Sequence, residues 1–249
     1  MVTGLEVDDV VVRYRTTIPR GGRGRRRDKP GGAGAAGAGA AGAEVTAVDG
    51  VSLQIAPGEI VALLGASGSG KSSLLRAVAG LEPLAAGRVL WDGEDLAGVK
   101  IHKRGFGLMF QDAQLFSSMN VGRNVGYGLY KMPRAERNRR VDELLDLVGL
   151  PGYGSRRSSE LSGGQAQRVA LARSLATDPR LFLLDEPLSA LDANLRQHLV
   201  GVLSDVLRRT RTTSMYVTHD QDEAFAIADR VAVMGAGRLL QIGSRDEVW

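Results

Sequence analysis

The feature that most constrains this chain is a glycine-rich segment, GASGSGKS, set between a short apolar run and a helix-like stretch. The apolar run IVALL covers 60–64, and LLRAVAG, which has helical spacing of its apolar residues, covers 74–80. The segment fits G-x-x-x-x-G-K-[ST], in which backbone N–H groups and a helix N-terminus cradle phosphate oxygens. A strand, a glycine loop and a helix in this order predict an α/β sheet that binds phosphate.

The residues of this loop are predicted to contact different parts of a bound nucleotide and its metal ion. Lys71 would reach the β and γ phosphates, and Ser72 would offer its hydroxyl to Mg²⁺, which otherwise keeps phosphate oxygens and water as ligands. A glycine turn without a ligand is the alternative, and the strand and helix on either side disfavour it. The predicted nucleotide-binding residues are Gly65, Ala66, Ser67, Gly68, Ser69, Gly70, Lys71, Ser72 and Ser73.

Two adjacent acidic residues, Asp185 and Glu186, follow the apolar run LFLL that begins at Leu181. In open α/β sheets, ligands bind at the carboxyl ends of the strands. Asp185 would hold Mg²⁺ directly or through water, while Glu186 could orient and activate water for attack on the γ phosphate. Without the glycine loop, the same pair would be interpreted as a solvated turn.

Three further residues have side chains whose role the residue type alone leaves open. His219 ends a strand candidate, SMYVTH, and a lone histidine is more often structural than catalytic. Gln111 has an amide that could reach metal or water. Tyr14 lies in a strand candidate and, by itself, fits a core residue better than a base-stacking partner.

Strand and helix patterns predict one domain over 1–249 with an α/β fold. Its P-loop NTPase core has a mainly parallel sheet, with an N-terminal antiparallel β subdomain formed by LEVDDVVVRY and VTAVDGVSLQIA. Residues of about 112–164 are poor in strand patterns and predict a helical subdomain. Two short strands around a glycine turn are predicted in VAVMGAGRLLQIG. Residues of about 15–44, which include a pure Gly and Ala run from Gly31 to Ala43, predict a disordered insertion.

The positive charge of the chain is concentrated at the start of this insertion and just before it. The formal net charge is +4, but eight basic residues lie between Arg13 and Lys29 against Asp28 alone, which leaves −3 for the rest of the chain. Such a segment is either a solvated loop of repelling charges or a contact for anionic lipid or nucleic acid. Because the remainder is mildly acidic, nucleic-acid binding is not the expected function.

Composition excludes several classes of protein. The absence of cysteine excludes a disulfide scaffold, a thiolate metal site and a cysteine nucleophile. No apolar run approaches the ~20 residues that cross a bilayer, and the start, MVTGLEVDD, lacks the basic and then apolar stretch of a secretory signal. We therefore expect a chain that neither spans a membrane nor is exported.

A further motif, LSGGQ, lies 20 residues before Asp185 and introduces a family resemblance. In order along the chain stand GASGSGKS, Gln111, LSGGQ, LFLLDEP, SALD and His219. Together these motifs resemble those of ATP-binding cassette (ABC) ATPases over nearly the whole chain. The LSGGQ signature comprises Leu161, Ser162, Gly163, Gly164 and Gln165.

The resemblance implies that two cassettes pair head to tail and enclose two ATP molecules with Mg²⁺. Each ATP would lie between the glycine loop of one copy and the signature of the other. Ser162, Gly163 and Gly164 would present a hydroxyl, backbone N–H groups and a helix N-terminus to the γ phosphate bound by the partner. This half of the site would act only on nucleotide held by the second copy.

The resemblance also implies roles for four single residues. Gln111 is similar to the hinge glutamine that senses Mg²⁺ and water and joins the core to the helical subdomain. Asp192 resembles the residue that links the two sites across the dimer, and His219 resembles the switch histidine that contacts γ phosphate. Tyr14 matches the aromatic residue that stacks on adenine.

The implied function is the ATP-hydrolysing subunit of a membrane transporter, peripheral on the cytoplasmic face of the membrane. Its partners would be a second copy of this chain, transmembrane permease subunits and, indirectly, an extracytoplasmic solute-binding protein. The segments FQDAQLF, SALDANLR and GRLLQIGSRDEVW resemble importers of mineral and organic ions such as iron, sulfate, polyamine and thiamine. Because the sequence ends at Trp249, the C-terminal regulatory domain of many such relatives is not expected. The alternatives are an exporter ATPase and a soluble ABC ATPase acting on nucleic acid or the ribosome.

Overall fold

The computed structural model of the chain describes residues 3–16, 43–110, 114–189 and 191–248. Gln111 and most of the predicted insertion lie outside these residues. The strands are β1 (Leu5–Thr16), β2 (Ala43–Ile55), β3 (Ile60–Leu64), β4 (Ala86–Trp91), β5 (Glu94–Asp95), β6 (Phe106–Met109), β7 (Leu181–Asp185), β8 (Ser214–Thr218), β9 (Arg230–Gly235) and β10 (Arg238–Gly243). The α-helices are α1 (Lys71–Ala79), α2 (Val121–Val125), α3 (Arg134–Leu147), α4 (Gly163–Leu175), α5 (Ala193–Thr210), α6 (Gln221–Ile227) and α7 (Arg245–Val248).

The larger sheet has the strand order β10-β9-β3-β8-β7-β6, and its strands are parallel except for the β9 and β10 hairpin. The central strands β7 and β8 are buried along their whole length. Parallel strands are covered on both faces, so they consist of nearly continuous apolar residues rather than alternating ones. This is why the runs IVALL, LFLL and SMYVT predicted β3, β7 and β8 correctly.

The smaller sheet is antiparallel, with the order β2-β1-β4-β5. The pairing of β1 with β2 continues to Arg15 opposite Glu44 and Thr16 opposite Ala43. The strands therefore include both ends of the range 15–44 that the sequence assigned to a disordered loop. Opposite charges on cross-strand partners favour such an extension of the ladder. The residues between these ends, 17–42, lie outside the described part of the chain.

Two apolar clusters pack against opposite faces of the larger sheet. Val61 and Leu63 of β3 point toward a cluster shared with α1 and the antiparallel sheet. Ile60 and Ala62 point the other way, toward a cluster that includes α3, α4, α5 and α6. This alternation follows from the two-residue period of a strand. The larger sheet therefore lies between two packed layers, and its strands are held on both faces.

The region between β6 and α4 is mainly helical. It contains α2, α3 and short 3₁₀ turns, and within the described residues 114–162 the strand pairing is limited to one bridge between Asn120 and Arg157. Asn124 is fully buried and accepts a hydrogen bond from the Phe116 N–H while donating to the Ser158 hydroxyl. This amide therefore ties the start of the helical region to the segment just before LSGGQ.

The α/β class, the mainly parallel sheet and the antiparallel subdomain agree with the sequence prediction. Strands β4, β5 and β6 were not predicted. The first three residues of β4 are exposed, and β6 is a four-residue strand with a glycine, so neither has a clear periodic pattern. No helix in the described part of the chain is both long and apolar enough to cross a membrane.

Candidate functional site

The predicted phosphate-binding and catalytic residues meet at the carboxyl edge of the parallel sheet. The loop 65–70 follows β3, Asp185 ends β7 with Glu186 next to it, and His219 follows β8. Because β7 and β8 are neighbours and β8 pairs with β3, these segments lie side by side. The fold thus brings together residues that are separated by up to 154 positions in the sequence.

The glycine loop turns into α1 through Gly70, which has a left-handed backbone with φ of 99°. A Cβ at this position would collide with the carbonyl oxygen of Ala47 in β2. Gly70 therefore satisfies two constraints, a positive φ and a close backbone approach, that no other residue type meets. The N-terminus of α1 follows directly, which places the positive end of the helix dipole at the loop.

Lys71 is buried, and its ammonium group fills the concave side of its own loop. Its Nζ donates to the carbonyl oxygens of Gly65 at 2.8 Å and Ala66 at 2.9 Å. Burial lowers the pKa of Lys71, while the charges of Glu186 and Asp185 act in the opposite direction. The loop carbonyls thus hold the amine at the position where a phosphate oxygen would compete for it.

Ser72 and Asp185 come together at the start of α1. The Ser72 hydroxyl donates to Oδ1 of Asp185 at 2.6 Å, and Nη2 of Arg76 lies 3.7 Å from Oδ2. A hydroxyl and a carboxylate beside a phosphate loop are the hard oxygen donors that Mg²⁺ prefers. Arg76 was not among the predicted site residues, although a basic residue four positions after Ser72 on the same helix face is a signal that could have identified it.

Glu186 and His219 form a contact between the ends of β7 and β8. Glu186 has a positive φ of 47°, which is uncommon for a residue with a side chain, and its N–H donates to the Val217 carbonyl at 3.0 Å. Oε2 of Glu186 lies 3.3 Å from Nδ1 of His219. Local backbone strain of this kind clusters at functional sites, where the surrounding structure maintains it. The carboxylate is held at the sheet edge beside the phosphate loop.

Tyr14 also lies at the phosphate loop. Its hydroxyl donates to the Ser73 Oγ at 3.2 Å, and its ring is partly buried against the apolar cluster of the antiparallel sheet. The aromatic residue therefore contacts α1 with its polar end and the core with its ring. This position fits the core role that the residue type suggests, and the adenine contact that the resemblance implies stays a prediction.

The LSGGQ signature forms the start of α4 rather than part of the sheet edge. Ser162 is the N-cap: its hydroxyl accepts from the Gln165 N–H at 3.3 Å, and Gln165 Oε1 accepts from the Ser162 N–H at 3.1 Å. This reciprocal capping box stabilises the helix end. Ser162 and Gly163 are exposed, Leu161 is partly buried, and Gln165 Nε2 donates to the Tyr153 hydroxyl.

Asp192 caps α5 in a similar way, because its Oδ1 accepts from the Leu195 N–H at 3.0 Å. The side chain of Leu195 packs against Gly164, where an added Cβ would lie 2.5 Å from Leu195 Cδ2. The helix that follows Asp192 is therefore in direct contact with the signature helix. Leu195 was not predicted, since this contact depends on how α4 and α5 pack.

Comparison with protein families places residues 48–189 in the family described as ABC transporter. The chain is 57% identical over 204 residues to the Fe(3+) ions import ATP-binding protein FbpC of Streptomyces coelicolor, which covers 81% of this chain and 59% of that protein. It is 50% identical over 205 residues to the putrescine transport ATP-binding protein PotG of Escherichia coli, covering 82% and 54%. The chain thus spans less than two thirds of the length of these relatives.

Solved structures extend the similarity to the whole fold. The ATP-binding cassette MJ0796, in a dimeric post-hydrolysis state bound to ADP and Pi, matches with a TM-score of 0.77 and 26% identity, covering 96% of this chain and 98% of that chain. The cbiO1 protein from Clostridium perfringens, described as part of the ABC transporter complex cbiONQ, matches with a TM-score of 0.80 and 28% identity, covering 100% and 91%.

Proposed function

The chain belongs to the ABC transporter family, and we propose that it binds and hydrolyses ATP as the nucleotide-binding subunit of an importer for a small ion or organic solute. The observation that carries the proposal is the convergence of Lys71, the Ser72 and Asp185 pair, and the Glu186 and His219 pair at one sheet edge. Each group matches one requirement of phosphoryl transfer: phosphate binding, metal binding and activation of water.

Binding of ATP would begin with an exchange of partners at Lys71. The ammonium leaves the carbonyls of Gly65 and Ala66 and contacts the β and γ phosphate oxygens instead. The backbone N–H groups of the loop and the N-terminus of α1 add the remaining anion contacts. In this proposal Tyr14, whose hydroxyl contacts Ser73, would contact the base.

Ser72 and Asp185 fit a Mg²⁺ ion, because their oxygens already lie 2.6 Å apart beside the phosphate loop. Bound there, the ion would neutralise charge on the phosphates. In the described part of the chain no group of three or more His, Asp and Glu side chains could hold a metal by itself. We therefore expect Mg²⁺ to bind together with the nucleotide, and on sequence grounds we propose Gln111 as a third contact.

Hydrolysis would use Glu186 as the base. Its carboxylate accepts a proton from water as the water oxygen attacks the γ phosphorus and the bond to the bridging oxygen of ADP breaks. His219, at 3.3 Å from Glu186, would hold the carboxylate in position and contact the γ phosphate. The products are ADP and inorganic phosphate.

The signature supports a head-to-tail dimer with a second copy of this chain. Ser162 and Gly163 are exposed at the N-terminus of α4, so an anion bound to another copy can approach them. Asp192, also exposed, lies at the start of the neighbouring helix α5. The dimeric state of the similar cassette MJ0796 is consistent with this arrangement. In the proposed dimer, ATP closes the interface and hydrolysis reopens it.

The proposed partners are permease subunits in the membrane and, through them, an extracytoplasmic solute-binding protein. The names of the relatives, which describe import of Fe(3+) ions and transport of putrescine, support an importer. The chain would then be peripheral on the cytoplasmic face of the membrane. The cargo would be selected by the partners, because the roles proposed for the site residues concern only nucleotide and metal.

Two experiments test the proposal. Release of inorganic phosphate from ATP by the purified chain should require Mg²⁺, and absence of turnover by a folded wild-type chain would contradict the ATPase assignment. The tagged chain should also co-purify with polytopic permease subunits from detergent-solubilised membranes of its native cell. Co-purification with ribosomes or nucleic acid instead would favour the soluble ABC ATPase.

A further inference from the structure

A partly buried arginine connects the loop before α5 to the loop before α6. Arg196 lies in the first turn of α5, and its side chain is 28% exposed. Its Nη2 donates to the carbonyl oxygen of Leu191 at 2.8 Å. Leu191 directly precedes Asp192, so the guanidinium is hydrogen-bonded to the backbone of the segment that contains Asp192.

The other side of the same guanidinium faces two carboxylates of α6. Nη1 of Arg196 lies 3.7 Å from Oδ2 of Asp220, and Nε lies 3.7 Å from Oε1 of Glu223. Asp220 directly follows His219 and caps α6 through the Glu223 N–H. The arginine therefore connects the Asp192 segment with the segment that carries His219.

Glu223 anchors this connection to the end of β8. It is buried, and its Oε2 accepts from the Tyr216 hydroxyl at 2.7 Å and from the Thr218 hydroxyl at 2.9 Å. Burial and then the charge of Glu223 raise the pKa of Tyr216 well above its usual range, so the phenol stays protonated and donates. The carboxylate facing Arg196 is thus fixed to the strand that leads to His219.

The connection is incompletely formed in this structure. Among the described residues, Nε of Arg196 is buried without a hydrogen-bond partner, and both carboxylates lie just beyond hydrogen-bond distance. A displacement of about 0.8 Å would convert the contact with Glu223 into a charge-assisted hydrogen bond. Small relative movements of α5 and α6 would therefore change the strength of the connection.

We propose that Arg196 is a positioning residue for hydrolysis, which keeps the Asp192 segment in register with the end of β8 and so maintains the contact between Glu186 and His219. Glu186 lies on the same loop as Leu191, and His219 lies beside Asp220, so the arginine and the catalytic pair bridge the same two loops. This inference rests on the proposed ATPase function.

The chain offers a matched control on the same helix. Arg208, near the other end of α5, pairs with Asp229 at 3.2 Å, and its Nη2 donates to the Ile227 carbonyl at 3.4 Å. It attaches α5 to the C-terminal end of α6, away from His219. Replacement of Arg208 thus tests loss of an ion pair between the same helices without loss of the connection to the site.

The first test compares Arg196→Met, Arg196→Lys and Arg208→Met in the ATPase assay. Arg196→Met should lower kcat about tenfold while KM for ATP stays within about twofold, and Arg196→Lys should recover part of the loss. Arg208→Met should retain wild-type kcat. In combination with Glu223→Gln, the effect of Arg196→Met should be less than additive. Wild-type kcat in Arg196→Met, or equal losses in Arg196→Met and Arg208→Met, would overturn the proposal.

The second test needs no turnover. Backbone amide hydrogen exchange without nucleotide should become faster in 187–195 and 219–223 of Arg196→Met, but not of Arg208→Met. If the wild-type chain fails to hydrolyse ATP, the proposed function fails, and this exchange pattern still decides whether Arg196 connects the two segments. Unchanged exchange in both segments would overturn the connection itself.

Discussion

The two glycine turns to which we assign anion contacts differ in what their polar groups already contact. In the phosphate loop, residues 65–70, the concave side is filled by the ammonium of Lys71, which is held by loop carbonyls. In the signature turn, residues 161–165, the polar side chains of Ser162 and Gln165 cap their own helix, and Gly163 is exposed. One turn is closed by its own cation, and the other is open to the outside.

The difference is consistent with separate proposed roles for the two turns, one within a chain and one between two copies. The phosphate loop lies beside Asp185 and Glu186, so nucleotide bound there as proposed would have its γ phosphate near a carboxylate of the same chain. The hydrogen bonds of the signature side chains stay within the helical region. Among the described residues beyond its own helix turn, none lies within 4 Å of a Cβ added to Gly163. A phosphate that reaches this turn would come from another copy.

The largest expected effect is at Glu186, the proposed general base beside the phosphate loop. Glu186→Gln keeps the size of the side chain but removes the proton acceptor, so turnover should fall by about 10²–10⁴-fold. ATP binding should persist, and the unhydrolysed nucleotide should favour a closed dimer, which light scattering would detect. Glu143→Gln, at an exposed carboxylate on α3, should retain wild-type turnover. Normal turnover in Glu186→Gln would contradict the assigned base.

The next effect concerns affinity. Lys71→Ala removes the charge-assisted contacts with the phosphates, and ATP should bind about 10- to 100-fold more weakly in a calorimetric titration. Lys103→Ala, at an exposed lysine, is the matched control and should leave affinity unchanged. If Lys71→Ala bound ATP as tightly as the wild type, the amine would not be a phosphate ligand.

A third prediction separates stability from activity in the signature turn. Gly163→Asp places a carboxylate in open space at the N-terminus of α4, where it should stabilise the helix by about 0.3–1 kcal/mol. The same charge should repel the γ phosphate on the partner and lower turnover about tenfold or more. Gly164→Ala instead brings a Cβ to 2.5 Å from Leu195 and should lower the melting temperature. Wild-type turnover in a stable Gly163→Asp dimer would exclude a phosphate at this turn.

The smallest effect is a pH dependence of ATP affinity. Burial lowers the pKa of Lys71 in the free chain, and phosphate charges would raise it in the complex. Between these two pKa values the free amine is neutral and must take up a proton on binding. Affinity should therefore be constant at lower pH and weaken by at most about tenfold per pH unit within this alkaline window. Lys71→Arg, which stays charged, should abolish the slope.

The sheet edge could be predicted from sequence because its strands are buried on both faces. These strands end at Leu64, Asp185 and Thr218, and the site residues lie at those ends or in the loops that follow them. Strand β6 could not be found in this way. It is short, and a Cβ added to its Gly107 would lie 3.0 Å from Pro179 and 3.2 Å from Phe182, a constraint that depends on tertiary packing rather than on periodicity.

Connections between distant segments could not be predicted either. Arg196 and Glu223 are far apart in sequence and face each other only because α5 packs beside α6. The hydrogen bond from Tyr14 to Ser73 depends on the antiparallel sheet lying against α1. Sequence patterns identify chemical groups and local caps, whereas the distances between them are set by the packing of the layers.

The most direct test of this account mixes two impaired variants at an ATP concentration at which each alone shows little turnover. Lys71→Ala impairs the phosphate loop and Gly163→Asp impairs the signature turn. In a mixed head-to-tail dimer, one site combines the two impaired turns, and the other combines the two unchanged turns. If each site combines the two turns from different copies, mixing equal amounts should restore about a quarter of wild-type turnover from independent sites. If the phosphate loop and signature turn of the same copy form the site, mixing two folded variants will restore no activity, and the account will be wrong.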